Sequence, residues 1–73
     1  MRFYGKYKQQ GYATRKRCER KLRDMADKFK LSDASVGFVN ANEDGTFSPV
    51  IFVSQADHSV ALALAANGVY AVG

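Results

Sequence analysis

The side chains best suited to nucleophilic chemistry in this 73-residue sequence are its single cysteine, Cys18, and its single histidine, His58. A thiol beside an imidazole forms a nucleophilic dyad when the fold brings the two together. The sequence argues against this pairing, because Cys18 falls on the apolar stripe of a predicted helix and His58 lies near a predicted helix start. We therefore expect no catalytic residue and a protein that is not an enzyme.

Carboxylates are the next candidates, as ligands for a cation. Asp33, Glu43 and Asp44 lie in turn-like segments, but their spacing fits no EF-hand or other ligand motif. One cysteine makes neither an internal disulfide nor a zinc cluster. Asn67 and Gly68 end a predicted helix instead of opening one, so they form no phosphate-binding glycine loop. The sequence predicts no metal, no cofactor and a reducing, cytoplasmic location.

Positive charge is the strongest chemical signal. The formal net charge is +4, and all 11 lysines and arginines lie in the first 30 positions, whereas residues 31–73 contain none. Cations at this density favour an anionic partner, either the phosphates of DNA or RNA or an acidic protein surface. Most of them fall in residues 14–30, so the structure of that segment decides what they can bind.

Residues 14–30 predict one amphipathic helix. Its apolar side chains have the i, i+4, i+7 spacing of a helix docked on a core; they are Cys18, Leu22, Met25, Ala26 and Phe29. Thr14 is a candidate N-cap, but Arg17 stands where a capping box has an acid. Arg15, Lys16 and Arg17 oppose the helix dipole in the first turn, which indicates that function, not stability, selects them.

Two interpretations of the charged helix surface remain open. Acids four residues from a cation, as in Arg20 and Asp24, would make it an ordinary solvated surface. Lys16, Arg17 and Lys21 have no such acid, which favours a binding role for the N-terminal half of the helix.

The first 12 residues alternate aromatic and basic side chains. This alternation predicts an additional N-terminal strand, and aromatic rings between cations suit base stacking and phosphate contact. The alternative is that the rings complete the core and the lysines protect a sheet edge. The binding residues predicted for the helix and this arm together are Lys16, Arg17, Arg20, Lys21, Arg15, Lys6, Lys8, Tyr4 and Tyr7.

The middle of the chain predicts a β-hairpin. Residues 35–41 and 46–54 have strand character, and the polar segment 42–45 between them ends in a glycine that tolerates a positive φ. Pro49 cannot donate to a ladder, so we expect it at an edge, a bulge or a strand start.

A second helix and a final strand are predicted to follow. Ser54 and Asp57 resemble a capping box at the start of helix 55–67, and Gly68 is its predicted C′ residue. The helix is apolar around its circumference, which predicts that it is buried. Residues 69–72 predict a strand parallel to the second hairpin strand.

The predicted fold class is α+β with the order α-β-β-α-β, a small mixed sheet and both helices on one face. We expect a single domain, 1–73, made of a basic and aromatic arm (1–12), a basic helix (14–30) and a platform (35–72). The apolar segments are too short and interrupted to span a bilayer, so no membrane partner is expected.

The pattern also predicts self-association. Counting by twos places Val39 with Val50 and Phe52 on one sheet face, away from the face of Phe38. Because this face and the second helix are both apolar, we expect a homodimer that uses Val39, Val50, Phe52 and Leu62. The alternative is that the N-terminal arm folds over this face instead.

In size and in the order hairpin, helix, strand over residues 36–72, the chain resembles small phage-encoded proteins that take over host machinery, such as RNA polymerase inhibitors of the T7 type and anti-CRISPR proteins. This resemblance covers about half of the chain and implies an inhibitor that acts by occlusion, with no functional residue carried over. Many such proteins are acidic, whereas the first part of this chain is basic. The favoured hypothesis is sequence-independent binding of nucleic-acid phosphates, and the alternative is an inhibitor or adaptor that binds a host protein.

Overall fold

The computed structural model describes residues 3–4 and 11–73. Its elements are β1 (Phe3–Tyr4), α1 (Arg15–Phe29), β2 (Val36–Ala41), β3 (Phe47–Phe52), a 3₁₀ segment (Gln55–Val60), α2 (Ala61–Ala66) and β4 (Tyr70–Val72). The strands form one mixed sheet in the order β1-β4-β3-β2, with β3 parallel to β4 and the other pairs antiparallel. The predicted α+β class and element order are confirmed, and β1 is the additional N-terminal strand.

Capping residues set the ends of α1. Thr14 has an extended backbone, and its hydroxyl accepts the Arg17 N–H at 3.2 Å, as an N-cap does. Lys30 adopts the left-handed conformation at the C-cap, with φ of 50°, and turns the chain out of the helix. Cys18 and Met25 are buried, which confirms the predicted docking stripe.

Both helices pack on the same side of the sheet. α1 lies over β2 and β3, and α2 lies over β4 and β1. The core between the layers is built from Tyr4, Met25, Ile51, Ala61, Leu64, Ala65, Val69 and Ala71. Among the residues that the structure describes, no helix has both the length and the apolar character needed to cross a bilayer.

The second helix differs from its prediction. The Asp57 N–H donates to the Ser54 carbonyl at 3.0 Å, and the Ser54 side chain makes no cap bond, so the chain forms a 3₁₀ segment before α2 instead of a capping box. The expectation that this helix is buried all round is also wrong, because Leu62 is 71% exposed. Gly68 has φ of 90°, as predicted for the C′ residue.

Pro49 lies inside β3, a central strand, which corrects the expectation of an edge, a bulge or a strand start. The Phe47 N–H donates to the Tyr12 carbonyl at 2.9 Å, and strand alternation directs the Pro49 nitrogen to the same side. Pairing with β4 begins only at Val50, opposite Tyr70. The missing N–H of proline therefore falls in the gap between these two pairings and interrupts no ladder bond.

The register of the hairpin corrects the predicted sheet faces. Val36 lies opposite Phe52, and Phe38 lies opposite Val50, so these four side chains share the face directed away from the helices. Val39 points to the helix side. The predicted grouping of Val39 with Val50 and Phe52 is therefore wrong, and Phe38 takes its place.

The hairpin loop explains this register. The Asn42 N–H donates to the Thr46 carbonyl at 2.8 Å and closes a three-residue loop, in which Gly45 has φ of 87°. The buried Asn42 amide also donates to the Thr46 and Ser48 hydroxyls at 2.9 and 2.8 Å. With a three-residue loop, even-numbered residues of one strand lie opposite even-numbered residues of the other. The sequence pattern alone had grouped even-numbered residues of one strand with odd-numbered residues of the other.

Candidate nucleic-acid interface

Four cations of α1, which we call the cationic face, lie outside its docking stripe: Lys16, Arg17, Arg20 and Lys21. The first three are exposed and Lys21 is partly exposed. Within residues 3–4 and 11–73, no carboxylate oxygen lies within 4.0 Å of a side-chain nitrogen of these four residues. The cationic face therefore retains its positive charge for a partner.

The arrangement of these cations opposes helix stability. Lys16 with Arg20 and Arg17 with Lys21 are like-charged neighbours at i, i+4, and each such pair destabilises a helix by about 0.2–0.5 kcal/mol. The first turn of α1 contains no acid, so its cations also oppose the helix dipole. Stability of the fold does not explain why these residue types occur here.

Two shallow, open depressions meet at Arg17 and Arg20. The first is lined by Thr14, Lys16, Arg17, Arg20 and Arg23. The second is lined by Tyr12, Arg17, Arg20, Lys21 and Asp24. A phosphate in either depression has at least three cations within reach. Sequence reasoning missed Arg23, because acids at i±4 suggested that it was paired, and it missed Tyr12 altogether.

Tyr12 is held beside the cationic face by a bridge to β3. Its N–H donates to the Phe47 carbonyl at 2.8 Å, and its carbonyl accepts the Phe47 N–H. Gly11 precedes it, and a Cβ added there would lie 2.8 Å from the Thr46 hydroxyl oxygen, so this approach requires glycine. Burial, followed by the proximity of Cys18, raises the Tyr12 pKa and keeps its phenol protonated as a hydrogen-bond donor.

Arg15 flanks the cationic face and packs toward the sheet. Its guanidinium carbon lies 5.4 Å from the centroid of the Phe47 ring, within the range of a cation–π contact. Together with Glu19 it borders a separate groove between α1 and β2. Arg15 therefore anchors the start of the helix as well as adding positive charge.

The structure corrects the role predicted for Tyr4. Its ring belongs to the core, and its hydroxyl lies 3.4 Å from Nε2 of His58. A ring buried on the helix side of the sheet cannot stack on a base. The predicted contacts Lys6, Tyr7 and Lys8 lie outside the described residues.

The two candidate catalytic side chains have separate environments. Cys18 is fully buried, and this burial raises the pKa of its thiol, while nearby Arg15 partly opposes the shift. His58 is exposed and contacts Tyr4 edge-on, with 6.0 Å between the ring centroids. In the described part of the chain, no group of three or more His, Cys, Asp or Glu residues could hold a metal ion.

Asp57 is the centre of a cluster of serine hydroxyls. Its Oδ2 accepts hydrogen bonds from the Ser35 hydroxyl at 2.5 Å, from the Ser32 N–H and hydroxyl at 2.9 and 2.8 Å, and from the Ser54 hydroxyl at 3.2 Å. The Ser35 bond contributes most to lowering the pKa of this carboxyl, burial opposes it, and the Ser32 and Ser54 bonds lower the pKa further. This cluster joins the loop after α1 to the end of β3.

The unfolding free energy should depend on the protonation of Asp57. Because the pKa of Asp57 is lower in the folded state, the folded state binds fewer protons, and stability falls with acid. The stabilisation is fully present above the unfolded-state pKa of about 3.9 and is lost as the pH falls through the folded-state pKa. Urea unfolding at a series of pH values measures this loss.

A matched pair of substitutions isolates this effect. D57N should lower the unfolding free energy at neutral pH and flatten its decline in acid. D33N removes an exposed carboxylate from the loop after α1, between Ser32 and Ser35, and should keep the wild-type decline. An unchanged acid dependence in D57N would contradict the assignment.

Comparison with known proteins finds no family model, no curated protein and no solved structure that matches this chain.

Proposed function

We propose that this protein binds the phosphate backbone of DNA or RNA through the cationic face of α1, without reading base sequence. One observation carries the proposal: four neighbouring cations have no carboxylate within 4.0 Å in the described part of the chain. Such cations gain most from phosphates, because each contact releases condensed counterions.

The geometry of α1 suits a row of phosphates. The pairs Lys16 with Arg20 and Arg17 with Lys21 each span about 6 Å along the helix axis, since each residue rises about 1.5 Å. Long, flexible side chains at this spacing can contact successive phosphates of one strand. Residues 31–73 supply β2, β3, β4 and α2 and contain no lysine or arginine, so these elements offer no comparable site. Phosphate contacts fix position and carry no sequence information.

Binding should weaken steeply with salt. If the four cations each neutralise one phosphate, the slope of log K against log salt is about −3.6 for duplex DNA and about −2.8 for a single strand. Affinity for a duplex should then fall about 100-fold between 50 and 200 mM salt. Fluorescence anisotropy with labelled 20-mers of two unrelated sequences measures both the slope and the absence of sequence preference. Undetectable binding at the lower salt concentration would overturn the proposal.

Polyglutamate is the control probe for a different partner class. The same cations would fit an acidic protein surface, as used by an inhibitor that occludes a host protein. If polyglutamate of matched length displaces the labelled 20-mer as well as unlabelled duplex does, the cationic face binds any polyanion. The nucleic-acid assignment is then wrong.

A further inference from the structure

On the side of the sheet that faces away from the helices, the described residues are mostly apolar and none is charged. We call this side the outer face, and its described residues, taken from the strand register, are Phe3, Val36, Phe38, Asn40, Ser48, Val50, Phe52, Tyr70 and Val72. Four of the five large exposed hydrophobic residues among those described lie here: Phe3, Val36, Phe38 and Phe52, with exposed fractions of 57, 56, 39 and 43%. These four residues lie on one face, whereas exposed hydrophobic residues on most protein surfaces are scattered singly.

Stacked aromatic pairs give the outer face a defined shape. Phe38 and Phe52 stack across β2 and β3 with ring centroids 5.2 Å apart and planes at 25°. Phe3 and Tyr70 stack across β1 and β4 with centroids 5.8 Å apart and planes at 23°. Val50, between the two pairs, is buried. Rings that are already packed lose little side-chain entropy when a partner covers them.

We propose that a second copy of this chain covers the outer face, so that two sheets pack against each other. Charge is the first reason for choosing this occupant. A twofold interface places the same surface on both partners, and an uncharged surface can meet itself without like-charge repulsion. The cationic face lies across the sheet, on the helix layer, so this packing keeps its four cations away from those of the other copy.

The same charge distribution argues against nucleic acid on the outer face. Single-strand binding on an aromatic platform needs cations that track the backbone. The segment from Val36 to Val72 supplies three of the four strands and contains no lysine or arginine. Over these three strands, aromatic stacking without neighbouring positive charge suits an apolar protein surface instead.

Size is the second reason for a homodimer. Phenylalanines with the exposed fractions given above present roughly 200–350 Å² of surface, if a whole aromatic side chain presents about 150–250 Å². That area would form a substantial part of the apolar centre of an interface of about 800 Å² per partner. A two-layer domain of 73 residues has a small core, and dimerisation is a common way for such domains to bury more apolar surface.

Sedimentation velocity on the full chain tests this inference without nucleic acid. From about 1 to 200 μM, the wild type should shift from the 8.1 kDa monomer toward twice that mass. F52K places a cation at the centre of the outer face and should weaken dimerisation at least tenfold. L62K makes the same change at an exposed leucine of α2, on the helix layer, and should dimerise like the wild type.

A second variant separates loss of the interface from loss of the fold. V36K changes an exposed position on the edge strand β2, where lysine is well tolerated, and should give a folded monomer by circular dichroism. A wild type that stays monomeric at the highest concentration overturns the inference. A dimer that persists in both F52K and V36K also overturns it, because the contact then lies elsewhere. The salt-dependent binding described above is a separate readout, so either proposal can fail alone.

Discussion

Replacing Leu64 with alanine should remove most of the stability of this protein. Leu64 is fully buried in α2, between the helix layer and the sheet. Removing a buried leucine side chain costs about 2–5 kcal/mol, because the transfer free energy is lost and a cavity remains. A domain of this size has a total unfolding free energy on the order of 5 kcal/mol, so L64A should be largely unfolded in mild denaturant.

Leu62 provides the matched control for this prediction. It lies in the same six-residue helix, but its side chain is mostly exposed, so L62A should change the unfolding free energy by less than about 0.5 kcal/mol. Urea unfolding followed by circular dichroism measures both variants. If L64A loses no more than L62A, α2 does not pack over the sheet as described.

Elements whose determinants are local could be predicted from the sequence. The docking stripe of α1 depends on contacts three and four residues apart, and Thr14 caps the helix through Arg17, three residues away. Gly45 and Gly68 were predicted to need unusual backbone conformations, and both have a positive φ. In each case the decisive interaction lies within a few residues of the pattern that predicts it.

Elements controlled by distant partners could not be predicted in this way. Asp57 resembled a capping residue, but its carboxylate bonds to Ser32 and Ser35, which lie on another part of the chain. The sequence pattern predicted that Tyr4 is a surface aromatic residue. In the structure its strand pairs with β4, and this pairing places the Tyr4 ring in the core. A local pattern contains no information about which of two competing partners a polar or aromatic side chain will meet.

The candidate site shows the same division. Net charge and helical periodicity were enough to locate Lys16, Arg17, Arg20 and Lys21 on one exposed surface. Tyr12 joins them only through its bridge to β3, a long-range pairing that no neighbouring residue indicates. The charge of the site could therefore be predicted, whereas its full outline required the fold.

Reversing two charges of the cationic face should reduce nucleic-acid affinity about 100-fold or more and leave the fold intact. R17E and R20E together remove the two residues shared by both depressions. A lost bond to a charged group costs about 1.5–3 kcal/mol, which is roughly tenfold or more per residue. The magnitude of the salt slope should also fall by about two.

The unfolding free energy of the double variant R17E and R20E should increase or stay unchanged. R17E places an acid three residues after the Thr14 cap, which completes a capping box and favours the helix dipole by about 0.3 kcal/mol or more. The matched control is K28E with K30E, which changes the net charge equally at the other end of α1 and should weaken binding by about tenfold or less. Loss of affinity together with retained stability would locate the contact at Arg17 and Arg20. Equal losses in both double variants would mean that the partner senses only net charge, and this assignment of the site would be wrong.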